Sequence, residues 1–271
     1  MTRHSKKIIA TCLLLTLGAA VTVQAQRFGG RRVVVLRQGA PVHRGAFTFC
    51  RLMYDSVRQE AGGQGWSTDY SAAEANFMYR LEEMTHARVT RERGDFAFTA
   101  VRADDPGIFE CPFLFASDVG TAGFSSAEVQ QLREYLLKGG FLWVDDFWGE
   151  YAWANWNAEL SRVLPEYEVV DLPMNHALFS AGYAVHRIPQ IPSIQFWRQS
   201  GGGTSERGYD SAEPHMRAMI DEMGRILVLM SHNTDIADGW EREGEDDRFF
   251  FAFSPESYAV GINVALWMLT H

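Results

Sequence analysis

The chain is short of cysteine, of positive charge and of long apolar runs, and each shortage removes a class of explanation. Three cysteines in 271 residues (Cys12, Cys50 and Cys111) leave no disulfide framework to read. Lysine and arginine number 25 against 34 aspartates and glutamates, for a net charge of −9. That balance argues against nucleic acid and anionic membrane surfaces as partners. Beyond residue 23 no segment is long and apolar enough to span a bilayer. The best candidate, YAVGINVALWMLT, is too short and carries Asn263. The usual nucleophile signals are missing too: there is no Gly-x-Ser-x-Gly, no Walker loop, and no elbow glycines around Cys50 or Cys111. The run GGGTSERG has no strand and helix to frame it and reads as a flexible loop.

What is present begins with an export signal. Arg3, Lys6 and Lys7 precede an apolar run from Ile8 to Val23, with small residues before Gln26. This is the pattern of a secretory signal peptide over residues 1–25, cleaved after Ala25, and it predicts a periplasmic or secreted protein. Cys12 follows too short an apolar stretch to mark a lipoprotein. Cleavage removes three positive charges and takes the net charge to −12. Residues 26–46, with the basic stretch RFGGRR, read as an N-terminal linker, and 47–271 as a single domain. Cys50 and Cys111 could pair in an oxidising compartment, although their apolar, strand-like settings (FTFCRLMY and FECPFLF) favour buried free thiols.

Two helix starts are marked by capping boxes, Ser71-Ala-Ala-Glu74 and Ser125-Ser-Ala-Glu128. Phe77, Leu81 and Met84 follow the first at helical spacing, to an end near Thr85; Val129, Leu132 and Leu136 follow the second, before the Gly139-Gly140 stop. FTFCRLMY (47–54), CPFLFAS (111–117), FLWV (141–144) and YEVVDL (167–172) read as strands. Trp153, Trp156, Leu160 and Val163 mark another helix, ended by Pro165. RIPQIPSIQFW reads as a loop, HMRAMIDEMGRILVLMSHNTD as an antiparallel edge hairpin turning at Met223-Gly224, and Ser254-Pro255 as the start of a last helix. Strands alternating with helices predict an α/β fold: three layers, a mostly parallel sheet with helices on both faces, and a C-terminal antiparallel hairpin.

In such sheets ligands bind outside the carboxyl ends of the strands. Asp145 and Asp146 stand at that end of FLWV, and alternation sends them to opposite sides. Ionised, they can grip hydroxyls or take a proton; otherwise one caps a turn and the other is solvated. Four of the eight tryptophans lie within residues 139–156. Trp153 and Trp156 fit a buried helix face, whereas Trp148 and Tyr151 suit an exposed platform on which a sugar face could stack. Three more loops carry polar clusters: Trp66, Asp69 and Tyr70; Asn175 and His176; and His232, Asn233, Asp235 and Asp238. His232 and Asp235 lack the third ligand a zinc site needs, so no metal and no cofactor are implied.

The blocks FCRLMYDS, WSTDYSAAEANFMYRLEEMT, CPFLFAS, EVQQLREYLLKGGFLWVDDFWG, LPMNHALFS and GRILVLMSHNTDIADGWE together resemble a bacterial family catalogued as domain of unknown function 4159. That family is similar in fold to the class I glutamine amidotransferase-like superfamily, a flavodoxin-like layered sheet with a strand-turn-helix elbow. GGFLWVDD, NHALF and GRILVLMSHN look more distantly like blocks of its ThuA-like members. The resemblance implies that Asp145 and Asp146 stand near the amidotransferase nucleophile position, where this chain has no cysteine and no His-x-Glu partner. The first expectation is therefore a binding module for a polar small molecule or glycan. The second is a hydrolase of a glycosidic or amide bond, pairing Asp145 or Asp146 with His176 or His232. A protein partner in the cell envelope is a third.

Overall fold

The computed structural model describes Ala25–Phe28, Arg31–Val35 and residues 45–271. The expected signal peptide lies almost wholly outside the described residues. Where a linker was expected, the chain forms two strands, β1 (Ala25–Phe28) and β2 (Arg31–Val35). Then come β3 (Cys50–Met53), β4 (Asp55–Ser56), α1 (Ala72–Met84), β5 (Arg91–Glu92), β6 (Asp95–Arg102), β7 (Phe113–Ser117) and β8 (Ala122–Gly123). The second half adds α2 (Ser126–Leu137), β9 (Phe141–Phe147), α3 (Gly149–Val163), β10 (Val169–Asp171) and α4 (Ile194–Ser200). It closes with β11 (His215–Ile220), β12 (Ile226–His232), α5 (Asp238–Glu241) and α6 (Asp247–Thr270).

The main sheet runs β1-β2-β6-β3-β7-β9-β12-β11-β10, with β5 paired to β6. From β2 to β12 every neighbouring pair is parallel, and antiparallel strands flank that block on both sides. The fold is α/β with a mostly parallel central sheet. Parallel strands buried on both faces need cover from helices. Phe77 and Leu81 of α1, Trp240 of α5 and Val260 of α6 pack on one face with Phe49, Phe115 and Trp143. Leu132 of α2 and Trp156 and Leu160 of α3 pack on the other with Leu114, Leu142 and Val228. Among the described residues no helix is long and apolar enough to cross a membrane.

The Ser125–Glu128 box forms in full, each side chain taking the other's free backbone N–H. The Ser71–Glu74 box does not, because the Glu74 carboxylate turns inward to the guanidinium of Arg51 at 2.6 Å. The last helix starts at Asp247, capped by Asp246, with Pro255 in its interior. A proline leaves the carbonyl four residues back without its helical donor, and here that residue is the exposed Phe251. RIPQIPSIQFW is not all loop: Ser193 caps α4 and Gly201, at φ 73°, ends it. The β11–β12 pair is not at the edge, since β10 adds outside β11. Cys50 and Cys111 are joined as a disulfide rather than kept as free thiols, with their Cα atoms 6.0 Å apart.

Candidate functional site

β3 leads through α1, on one face, to β6 on its one side; β7 leads through α2, on the other face, to β9 on its other side. Between β3 and β7 the connections diverge, so the loops part and leave a crevice beyond the carboxyl ends. A cavity of about 310 Å³ opens there. Its walls come from four places: residues 60–70 after β3, Asp118 after β7, Asp146 and Trp148 at the end of β9, and Asp235, Asp238 and Glu241 after β12. Glu206, Arg207 and Arg242 also line it, with Ser193 and Gln195.

Left-handed backbone is concentrated at this site. Five described non-glycine residues have positive φ; three of them, Asp69 (63°), Asp118 (53°) and Asp146 (54°), line the cavity, and a fourth, Asn233 (62°), stands two residues before Asp235. Each such residue costs on the order of 1 kcal/mol, least for Asp and Asn, whose short polar chains bond locally. The turn at Asp146 separates the two aspartates. Asp145 stays fully buried, accepting bonds from Ser231 Oγ at 2.6 Å and the Ala237 N–H at 2.9 Å. Asp146 faces the cavity, its Oδ1 held by Trp148 Nε1 at 2.9 Å. Asp69 is held by Ser117 Oγ at 3.2 Å, and Asp235 by the Asp238 N–H at 2.8 Å. One carboxylate oxygen from each of Asp69, Asp146 and Asp235 lies within 4.8 Å of the others. Asp69, Asp238 and Glu241 make a second such group.

Burial and mutual repulsion dominate the electrostatics. Desolvation first, then the charge of Asp69, holds Asp146 and Asp235 well above the ordinary carboxylate range. Desolvation pushes Asp118 up to about 7 against the Gly65 N–H that its carboxylate accepts. Arg51, fully buried, opposes the same rise in Asp69 and also donates to the Thr68 carbonyl at 3.1 Å.

The structure brings together Asp69, Tyr70, Asp146, Trp148 and Asp235, which all line the cavity, but Trp148 is buried, tied to Asp146 through Nε1, and not the exposed platform expected. It leaves the other expected residues elsewhere. Trp66 stands behind Tyr70, ring centroids 5.4 Å apart. Tyr151 is in the first turn of α3, 71% exposed, under the Arg58 guanidinium rather than on the rim. Asn175 is exposed away from the cleft. Asn233 is structural, its Oδ1 accepting from the Gly149 N–H at the start of α3 and its amide donating to the Glu213 carbonyl. His176 caps a short turn through the Leu178 N–H and packs on Trp267. His232 ends β12 on the α3 face, between Phe147 and Trp153, and is held by Arg217 and the Gly149 carbonyl. Neither histidine borders the cavity.

Asp118, Glu60 and Glu241 are cavity carboxylates that sequence reasoning missed. Asp118 carried a usable signal, since it follows the apolar CPFLFAS as Asp145 follows FLWV.

His232 supports a pH prediction. Burial lowers it from 6.5 to about 4, so the unfolded chain takes the proton first. Its contribution to stability is complete above the unfolded value and is lost as the pH falls through the interval down to the folded one. Relative to His232→Gln, the wild type should lose about 2 kcal/mol of unfolding free energy between about pH 7.5 and pH 5. Urea titrations at the two pH values measure this, and parallel slopes for both proteins would refute it.

A family model described as Domain of unknown function (DUF4159) matches residues 48–269. No curated protein matches the chain. With that match spanning most of its length, the chain belongs to the DUF4159 family.

Proposed function

We propose that this protein binds a polar small molecule or glycan in the cleft at the strand ends, on an amidotransferase-like scaffold that has no cysteine nucleophile. One observation carries the reading: three carboxylates, from the entry to α1, the end of β9 and the loop after β12, converge within 4.8 Å beside the Trp148 and Tyr70 rings. Oriented acceptors next to aromatic walls suit a ligand that offers hydroxyl or ammonium donors on an apolar frame. The scaffold reading is supported by the parallel block and by the left-handed residue Asp146 at the end of β9, just before α3. Export to the periplasm or beyond is supported by the leader-like start and by the Cys50–Cys111 disulfide, a bond that persists in oxidising compartments.

A thermal-shift screen against sugars, cell-wall fragments and polyamines is the direct test. Asp146→Asn and Trp148→Ala should weaken the best ligand by tenfold or more, about 1.4 kcal/mol, while Tyr151→Ala leaves its affinity unchanged. If no polar ligand stabilises the protein, the reading falls.

Asp118 favours a second reading, hydrolysis of a glycosidic or amide bond. A carboxyl pushed up to about 7 in a cleft can hold and return a proton near neutrality. The acid–base work would then belong to carboxyls, with His176 and His232 outside the cleft.

A further inference from the structure

We propose that Asp69, Asp146 and Asp235 together hold one hard divalent cation of the magnesium, manganese or calcium class, placed to meet the polar ligand of the cleft. This inference rests on the reading of that cleft as a binding site and names what its acidic floor takes.

Geometry is the first support. Oxygens coordinated at about 2.1 to 2.4 Å around one centre stand at most about 4.8 Å apart, and the three carboxylates satisfy that limit. Each has one oxygen fixed by a protein donor: Ser117 Oγ for Asp69, Trp148 Nε1 for Asp146 and the Asp238 N–H for Asp235. Outer-shell donors of this kind orient carboxylate ligands before an ion arrives.

The second support is independent of the clustering. Asp235 is only 2% exposed, yet beyond the single N–H on one oxygen it has no donor and no counter-charge among the described residues, and it lines the cavity. A buried carboxylate is ordinarily paired or bound to a metal. The nearby arginines are committed elsewhere: Arg51 to Glu74, Arg207 to Glu60 and Glu206, and Arg242 to Asp238 and Glu241. The same facts choose between the two carboxylate groups. Asp238 and Glu241 already share Arg242, and Asp238 also accepts the Ile194 N–H, so the group with Asp146 and Asp235 is the one without an ion pair, Arg51 and Arg242 reaching only its Asp69 through space. A donor set of oxygens alone, with no histidine or thiolate, selects magnesium, manganese or calcium over zinc or copper.

The test uses the full chain stripped with chelator and titrated with magnesium, manganese and calcium chloride, read by calorimetry, by thermal shift and, for manganese, by electron paramagnetic resonance. The expected result is one ion per chain and a rise in melting temperature for at least one of the three. Asp235→Asn and Asp69→Asn should each weaken binding more than tenfold, and Asp104→Asn, on an exposed turn, should not. Because an asparagine at the buried position 235 could impair folding, circular dichroism accompanies each variant and Asp146→Asn serves as the replacement. Absence of binding by all three ions, or binding unchanged in two folded cleft variants, overturns the proposal. A polar ligand that stabilises the stripped protein equally with and without added ion would overturn it too, while leaving the cleft's role in ligand binding intact. Ion binding without any polar ligand would do the reverse.

Discussion

Replacing Arg51 by methionine should destabilise the protein by about 3 to 5 kcal/mol, because it strands the carboxylate of Glu74 in the core. Both side chains are fully buried, and the guanidinium meets Glu74 Oε1 at 2.6 Å through both Nε and a terminal nitrogen. Burial raises Glu74 while Arg51 opposes that rise, so loss of the arginine leaves a group that must protonate or remain an unpaired charge. The double variant Arg51→Met, Glu74→Leu removes both charges and should recover most of the loss, since a buried pair contributes little net stability over an apolar pair of similar volume. Urea unfolding of wild type, both single variants and the double variant measures the coupling. Equal destabilisation of the single and double variants would show that the arginine matters for its packing against Phe115, 4.9 Å away, and not for its charge. Arg51 also grips the Thr68 carbonyl, one residue before Asp69, so the single variant should weaken ligand binding in the cleft as well.

Arg51 and Glu74 also mark where the sequence stops being legible. Ser125–Glu128 could be read because both partners of its box are three residues apart, and local pattern holds the whole interaction. Ser71–Glu74 has the same spacing, but its glutamate finds a partner 23 residues upstream on β3, which no local pattern contains. The last helix shows the same limit: Ser254-Pro255 is a good local start, and the aromatic run from Phe249, anchored by Trp197 and Phe253, carries the helix through it. In the cleft, Asp146 and Asp235 were legible as carboxylates after apolar strands and Asp69 as one at a helix entry, and the parallel order of β3, β7, β9 and β12 explains why they meet. His232 failed on direction. Ser231 faces Asp145, so the next residue, His232, turns to the α3 side. Tyr151 failed because α3 begins at Gly149, which puts the tyrosine on an outward helical turn and not in a loop.

Cys50 and Cys111 could not be resolved from their apolar settings, which suit a thiol and a disulfide alike. The deciding fact is register: Cys50 pairs with Leu114 across β3 and β7, and that brings Cys111, just before β7, to its side. The bond spans a sequence separation of 61, and closing a loop of that size in the unfolded chain is worth on the order of 4 kcal/mol. Cys50→Ala with Cys111→Ala should therefore lower the melting temperature by roughly 10 °C in a domain of this length. Both cysteines are buried, so native-state reduction should be slow, and reductant should act mainly once the protein has been unfolded by urea. Wild type unfolded with reductant should then match the double alanine variant apart from the small packing loss of the substitutions. The cross-link sits at the amino ends of β3 and β7, and the cleft opens at their carboxyl ends. Ligand affinity, measured well below the lowered melting temperature, should consequently be unchanged in the variant. Two free thiols per chain in the purified, oxidised protein, or an unchanged melting temperature, would remove the disulfide from the account of stability; lost affinity in a folded variant would instead show that the cross-link sets the spacing of the strand ends.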